Sequence, residues 1–292
     1  MSTPLAWMKA LRPHQYSKNL LIFTPIILAH KMGQGHLWTL AIGAFVAFCM
    51  MASAVYLLND IMDREHDRIH PTKKNRPIAS GKIAPKHALL VAFVLCSLSL
   101  AIAFHTGFQF AAMIAGYAVV TTAYTFYLKK IPILDVLTLG TLYTWRILAG
   151  GIATDVLVSG WFIGFSIFIF FSLACAKRAT ELKLLKGSAS PSGRGYQKDD
   201  LYIITNFGVS SGYCSVIISS LYINSPKVSV MYQNPTPLWF CCMILLYWIS
   251  RIWFLTARGT LDQDPVKFAL SDWQSYLLLT LVLATGYLAM PR

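Results

Sequence analysis

The stretch LWTLAIGAFVAFCMMASAVYLL (residues 37–58) runs directly into NDIMDREHD (residues 59–67), and the junction between them decides the fold. The first part holds no Asp, Glu, Lys or Arg. It is long enough for an α-helix to cross a bilayer, which takes about 20 apolar residues. In the second part Asp60, Asp63 and Asp67 recur at i, i+3 and i+7. On a helix that spacing puts three carboxylates on one face. Like charges gathered at a membrane boundary repel one another and are costly unless matched. A divalent cation matches them best, and an all-oxygen ligand set favours Mg²⁺ over zinc or copper. A Mg²⁺ held by carboxylates commonly holds a phosphorylated ligand in turn. The plainer reading is a solvated helix end paired with Arg64 and Arg68, and surface pairs of that kind are weak. Against it stands the density of charge: four acidic residues within eight positions of a chain that has only 12.

The rest of the chain agrees with a membrane setting. Of its 292 residues 56% are hydrophobic and 13% charged, and the mean hydropathy is +0.55. These values exclude an ordinary soluble domain. The length fits one all-α, polytopic helix bundle over residues 1–292. Nine segments qualify as spans: about 16–33, 37–58, 86–105, 108–128, 132–150, 159–176, 203–223, 237–256 and 273–290. The first is the weakest, since it carries Lys18 near its start and Pro25 inside it. The six cysteines all lie in apolar segments without metal-ligand spacing, so they read as small buried residues.

The net charge of +13 would suggest nucleic acid on a soluble protein. Its distribution here argues against a nucleic-acid partner. With nine spans, 21 of the 25 Lys and Arg fall on the side that also holds the N-terminus and Asp60, Asp63 and Asp67. The positive-inside rule makes that side cytoplasmic. The expectation is a multi-pass protein of the plasma (inner) membrane with a cytoplasmic N-terminus and membrane lipids as neighbours. No cleaved signal peptide is read at its start. The oligomeric state, a homo-oligomer included, is left open.

Two cytoplasmic loops are long, about 59–85 and 177–202, and function concentrates in such loops. In the first, Arg76 stands out from the basic run His70 to Pro77 because Pro77 follows it and fixes the local backbone; arginine also suits bidentate phosphate recognition. Lys73 and Lys74 read as general electrostatics towards lipid headgroups. In the second, Lys177 and Glu181 are i, i+4 and Arg178 and Glu181 are i, i+3, so they share a helix face. They form either a charged helix end with an internal ion pair or an anion site oriented by one carboxylate. The Gly/Ser-rich piece at 187–195 reads as a slack linker or a lid. Near the N-terminus, Lys18 and Asn19 sit unusually close to an apolar segment, with snorkelling to headgroups the simple account of Lys18. Arg146 is assigned structural or topological work.

The pattern Asn59-Asp60-x-x-Asp63-x-x-x-Asp67 resembles the first aspartate-rich motif of the UbiA superfamily of membrane prenyltransferases. The resemblance extends over essentially the whole chain, and implies a helical UbiA-like fold. One departure matters. Members that prenylate aromatic rings carry a second aspartate-rich motif after the sixth span, where this chain has Lys177-Arg178-x-x-Glu181-Leu182. Together with Arg12-Pro13-x-Gln15-x-x-Lys18-Asn19, His70-Pro71-Thr72-Lys73 and Arg76-Pro77-Ile78-Ala79-x-Gly81, that motif is similar to decaprenyl-phosphate phosphoribosyltransferases. The resemblance implies transfer of 5-phosphoribose from phosphoribosyl diphosphate to a polyprenyl phosphate, with Mg²⁺ as cofactor. It implies Asp60, Asp63 and Asp67 as metal ligands and Asn59 as neutral ligand or orienter. Lys18, Arg76, Lys177 and Arg178 are then phosphate-binding residues, with Glu181 orienting the cations. A second pole of cations suits two anionic substrates better than a second pole of aspartates. The alternatives are an aromatic prenyltransferase acting on 4-hydroxybenzoate, and a cation-binding transporter without chemistry.

Overall fold

The computed structural model describes residues 3–69, 73–184, 194–232, 234–261, 265–269 and 271–289. His70, Pro71, Thr72 and residues 187–193 of the Gly/Ser-rich piece lie outside them. Among the described residues all regular structure is helical, without a strand. The backbone falls into two compact units: residues 1–127 with 145–158, and residues 128–144 with 159–292.

The first unit opens with α1 (Pro4–Leu11), whose N-terminus is capped by the Thr3 hydroxyl accepting from Ala6 N. The segment expected to span at 16–33 is not one α-helix. It is a 3₁₀ helix over Pro13–Phe23 followed by the short α2 (Thr24–Leu28). Prolines supply the reason. Pro13 and Pro25 donate no backbone N–H, and Arg12 ahead of the 3₁₀ helix is left-handed at φ 55°, which turns the chain away from α1.

The long α3 (Gly35–Met62) follows, then α4 (Arg64–Ile69), α5 (Pro85–Thr106) and α6 (Phe108–Phe126). α3 buries a run of small residues including Ala41, Ala44, Ala47, Ala52 and Ala54. Small side chains let helix backbones approach closely, the usual packing mode where lipid removes the hydrophobic drive between helices. α5 uses that closeness: Ser99 Oγ donates to Ala47 O at 2.7 Å. The cluster of Ala6, Ala10, Ala54, Leu57, Ile78, Ile83, Ala88 and Ala92 fastens α1, α3, α5 and the 77–83 turn together.

α7 (Leu134–Thr154) contributes its second half to the first unit and its first half to the second. The second unit continues with α8 (Gly160–Lys183), α9 (Leu201–Ile223), α10 (Pro226–Met231), α11 (Leu238–Arg258), α12 (Pro265–Ala269) and α13 (Trp273–Ala289). α8 and α9 form its tightest pair, joined where Ser172 Oγ donates to Gly208 O at 2.6 Å and Trp253 of α11 donates to Ser172 Oγ at 3.1 Å.

Among the described residues six helices are long and apolar enough to cross a membrane: α3, α5, α7, α8, α9 with its lead-in from Lys198, and α11. α13 is apolar but shorter, and α6 and the 3₁₀ segment are not among the six. The all-helical membrane bundle expected from the sequence is therefore what the chain builds. The figure of nine spans is not reached on these criteria.

Candidate functional sites: one charged pole in each unit

The acidic pole is built entirely from the first unit. Asp60 lies on the last turns of α3, Asp67 on α4, and Asp63 joins the two helices. Asp60 and Asp67 are buried, and each is met by an arginine that sequence distance conceals. Arg12 Nη2 donates to Asp60 Oδ1 at 2.6 Å. Arg76 Nη1 donates to the same oxygen at 3.1 Å and to Asp67 Oδ2 at 2.7 Å. The Arg12 guanidinium also stacks 4.9 Å from the centre of the Tyr56 ring.

The turn carrying Arg76 is held firmly. Ile78 and Ile83 plug the core, Ser80 N donates to Arg76 O at 2.9 Å, and Ile83 N donates to Pro77 O at 3.0 Å. Gly81 closes the turn at φ 78°, a left-handed geometry that glycine adopts without strain. Asn59 Nδ2 donates to Thr125 Oγ1 at 3.0 Å, and that hydroxyl donates onward to Thr121 O. This orientation turns the Asn59 amide oxygen into the remaining acceptor.

The donor set suits a hard cation in part. Asp60 and Asp67 converge on one positively charged atom, Arg76 Nη1. Asp63 is half-buried, and among the described residues no three His, Cys, Asp or Glu side chains cluster as a metal site. Lys18 is half-buried on the 3₁₀ helix, whose flanks are pinned by Tyr16 OH to Ser53 Oγ at 2.7 Å and by Asn19 Nδ2 to Cys49 Sγ at 3.3 Å. Arg146, assigned structural work from sequence, is buried in the same unit. Its Nε donates to Asn19 Oδ1 at 2.8 Å and its Nη2 to Tyr117 OH at 2.9 Å.

The second pole belongs to the second unit and is more enclosed. Arg178 on α8 is 0% exposed. Its Nε donates to Asp135 Oδ2 at 2.7 Å, and its Nη2 lies 2.7 Å from the same oxygen. Its Nη1 bonds Glu181 one turn along α8. Arg194 completes the group, with Nη1 3.3 Å from Asp135 Oδ1 and Nε 3.5 Å from Glu181 Oε2. Two arginines thus face two carboxylates. Lys177, half-buried on the same helix, is the further cation of the motif.

The chain around Arg194 is docked by sterics as well as charge. A Cβ on Gly195 would lie 2.1 Å from Lys130 O, so only glycine permits that approach. The Tyr196 hydroxyl accepts from Ile133 N at 3.0 Å, and its ring lies 5.5 Å from the Arg178 guanidinium. Burial raises the Tyr196 phenol to about 12, so it stays neutral through the physiological range.

A sequence profile of the UbiA prenyltransferase family matches residues 20–281. The chain belongs to the UbiA prenyltransferase family. That membership makes it a membrane-embedded transferase.

Among UbiA relatives, it is 36% identical over 290 residues to the nodulation protein NoeC of Azorhizobium caulinodans, covering 97% of this chain and 92% of that one. It is 35% identical over 287 residues to the uncharacterized protein y4nM of Sinorhizobium fredii, and there it spans only 56% of the relative's length. It is 37% identical over 283 residues to decaprenyl-phosphate phosphoribosyltransferase of Mycobacterium tuberculosis, covering 95% of this chain and 92% of that one. The fold is similar to that of a UbiA homolog from Archaeoglobus fulgidus bound to GPP and Mg²⁺, with a TM-score of 0.68 at 15% identity over 97% of this chain and 99% of that one.

Sequence reasoning placed Asp60, Asp67 and Arg76, and the structure brings these three together. It missed Arg12 as the partner of Asp60, Asp135 and Tyr196 as partners of Arg178, and Arg194 as the second arginine on Asp135 and Glu181. Asp135 carried a signal: an ionisable residue at the start of an apolar span needs a buried partner. Nothing local named that partner, which lies 43 positions away.

Proposed function

We propose that this UbiA-family transferase moves 5-phosphoribose from phosphoribosyl diphosphate to a polyprenyl phosphate and releases diphosphate, at the cytoplasmic face of the membrane. The observation that carries this reading is the second pole. Where an aromatic prenyltransferase needs further aspartates for metal, this chain has Lys177 and a permanently enclosed Arg178 balanced by Asp135 and Glu181. Arg178, enclosed between Asp135 and Glu181, orders the region. The extended similarity to a decaprenyl-phosphate phosphoribosyltransferase supports the same assignment.

In this reading Asp60 and Asp67, with Asn59 and Asp63 adjoining, hold Mg²⁺ against the diphosphate of the ribosyl donor. When bound, the metal neutralises charge that develops on the leaving diphosphate. Arg76 and Lys18 bind phosphate oxygens, and Lys177 supplies positive charge for a second anionic group. A lipid phosphate oxygen forms the new bond to the anomeric carbon as the bond from that carbon to diphosphate breaks, its electron pair leaving with the diphosphate. A phosphate monoester is already anionic, so no general base is assigned.

The test offers purified protein two mixtures with and without Mg²⁺: phosphoribosyl diphosphate plus polyprenyl phosphate, and 4-hydroxybenzoate plus polyprenyl diphosphate. Product is expected only in the first and only with metal. Product confined to the second overturns the assignment.

A further inference from the structure

The arginines of the acidic pole lie outside the carboxylates they neutralise. Asp60 and Asp67 side chains are 2% and 4% exposed, whereas Arg12 and Arg76 are 24% and 28% exposed. Asp60 Oδ1 accepts from both guanidiniums, and Arg76 Nη1 bridges both carboxylates. The guanidiniums are thus the more exposed members of these ion pairs. The second pole is the contrast: Arg178 bridges Asp135 and Glu181 in the same manner but is itself 0% exposed.

Charge counting sets the consequence. Two carboxylates and two guanidiniums sum to zero. A bare divalent cation entering that group leaves it at +2 and strips two arginines of their partners, which is costly where carboxylates are buried. A cation that arrives with diphosphate removes the excess, and both freed guanidiniums gain phosphate oxygens that suit their forked geometry. Arg12 is also held in the left-handed region at φ 55°, ψ 53°. For a non-glycine residue that costs about 1 kcal/mol or more, and such strain persists only where surrounding contacts fix it.

We propose that Arg12 and Arg76 are exchangeable counter-ions, covering Asp60 and Asp67 until a metal–diphosphate complex arrives and then passing to the diphosphate. Metal and diphosphate consequently load together, and Arg12 joins Arg76 as a substrate-binding residue. The inference rests on the proposed function only in assigning a metal–diphosphate to this pole; it needs neither ribose nor lipid.

The experiment is Mn²⁺ binding to the full-length protein in detergent, read by loss of the free-ion electron paramagnetic resonance signal, with and without inorganic diphosphate. Asp60→Asn serves as the blank. In the wild-type chain, diphosphate should tighten Mn²⁺ binding by about tenfold or more, within the usual range of coupling between two ligands. Arg76→Gln should have opposite effects in the two arms: bare Mn²⁺ binds more tightly, and the gain from diphosphate shrinks. Arg12→Gln should shift both in the same directions by a smaller factor and stands in where Arg76→Gln does not fold. Equal wild-type affinity with and without diphosphate overturns the proposal, as does unchanged or weaker bare-Mn²⁺ binding in either folded variant. Coupling that survives alongside an inactive phosphoribosyl assay would sink the substrate assignment and leave this inference standing.

Discussion

Replacing Arg178 with methionine should destabilise the second unit far more than replacing Arg194 with glutamine, although both arginines contact the same two carboxylates. Arg178 is 0% exposed and lies against Asp135, itself 0% exposed. Removing one partner of a buried ion pair typically costs about 3–5 kcal/mol, because the other charge is left uncompensated. Arg194 remains 3.3 Å from Asp135 and offsets part of that loss, so the lower end of the range applies. Arg194 is 23% exposed and its own removal leaves Arg178 in place, so about 1 kcal/mol or less is expected. For a chain of this size, at about 2 °C per kcal/mol, these figures correspond to a fall of about 6 °C in Tm for Arg178→Met and about 2 °C for Arg194→Gln.

The assay is thermal unfolding in detergent, followed by the fraction that stays monodisperse. The double variant Arg178→Met/Asp135→Leu removes both charges and should recover most of the loss, since an apolar pair of similar volume is often neutral or better than a buried ion pair. If it is folded and still turns over, its KM for the anionic donor should stay near the wild-type value. A near-wild-type Tm for Arg178→Met would refute the structural role, and a large rise in KM in the stable double variant would return Arg178 to the phosphate-binding set.

The remaining expectations are narrower. Asp272 accepts from both Arg251 Nη groups at 2.8 and 2.9 Å and from Ser275 N and Oγ at 2.9 Å, capping α13. Burial alone would raise its pKa, but these bonds outweigh burial and hold it below the ordinary 3.8. A depressed carboxyl stabilises the fold above its unfolded pKa, and that contribution is lost as pH falls through the folded value. Asp272→Asn should therefore flatten the acid limb of a stability-against-pH curve below about pH 4, and an unchanged acid limb would contradict this. Gly150→Ala should displace the 3₁₀ segment, because its Cβ would lie 2.2 Å from Ile22 O. Overpacking of that kind costs about 1–3 kcal/mol, and a Tm within error of wild type would show that the close approach is dispensable.

The membrane character of this chain was legible residue by residue. A long uncharged run states its own environment, because crossing a bilayer depends on local hydropathy and length alone. The clustering of Asp60, Asp63 and Asp67 was equally visible, since helical periodicity converts spacing into a shared face. The limits of that local reading appear at three places. Pro13, Pro25 and a left-handed Arg12 turned an expected span into a 3₁₀ helix followed by a short α-helix. Asp63 falls at the junction of α3 and α4, a position that spacing alone did not mark as a helix end. Arg178, read from sequence with Glu181 as its carboxylate, is also paired with Asp135 from another helix.

The sequence by itself determined where the chain crosses apolar surroundings, where its carboxylates and cations gather, and which family motifs they form. Only the tertiary structure decided which charges neutralise which: Arg12 with Asp60 across 48 positions, Arg178 with Asp135 across 43. The reason is physical. Hydropathy and helical phase are properties of neighbouring residues, whereas the cost of burying a charge is settled by whatever the fold places against it, at any distance along the chain.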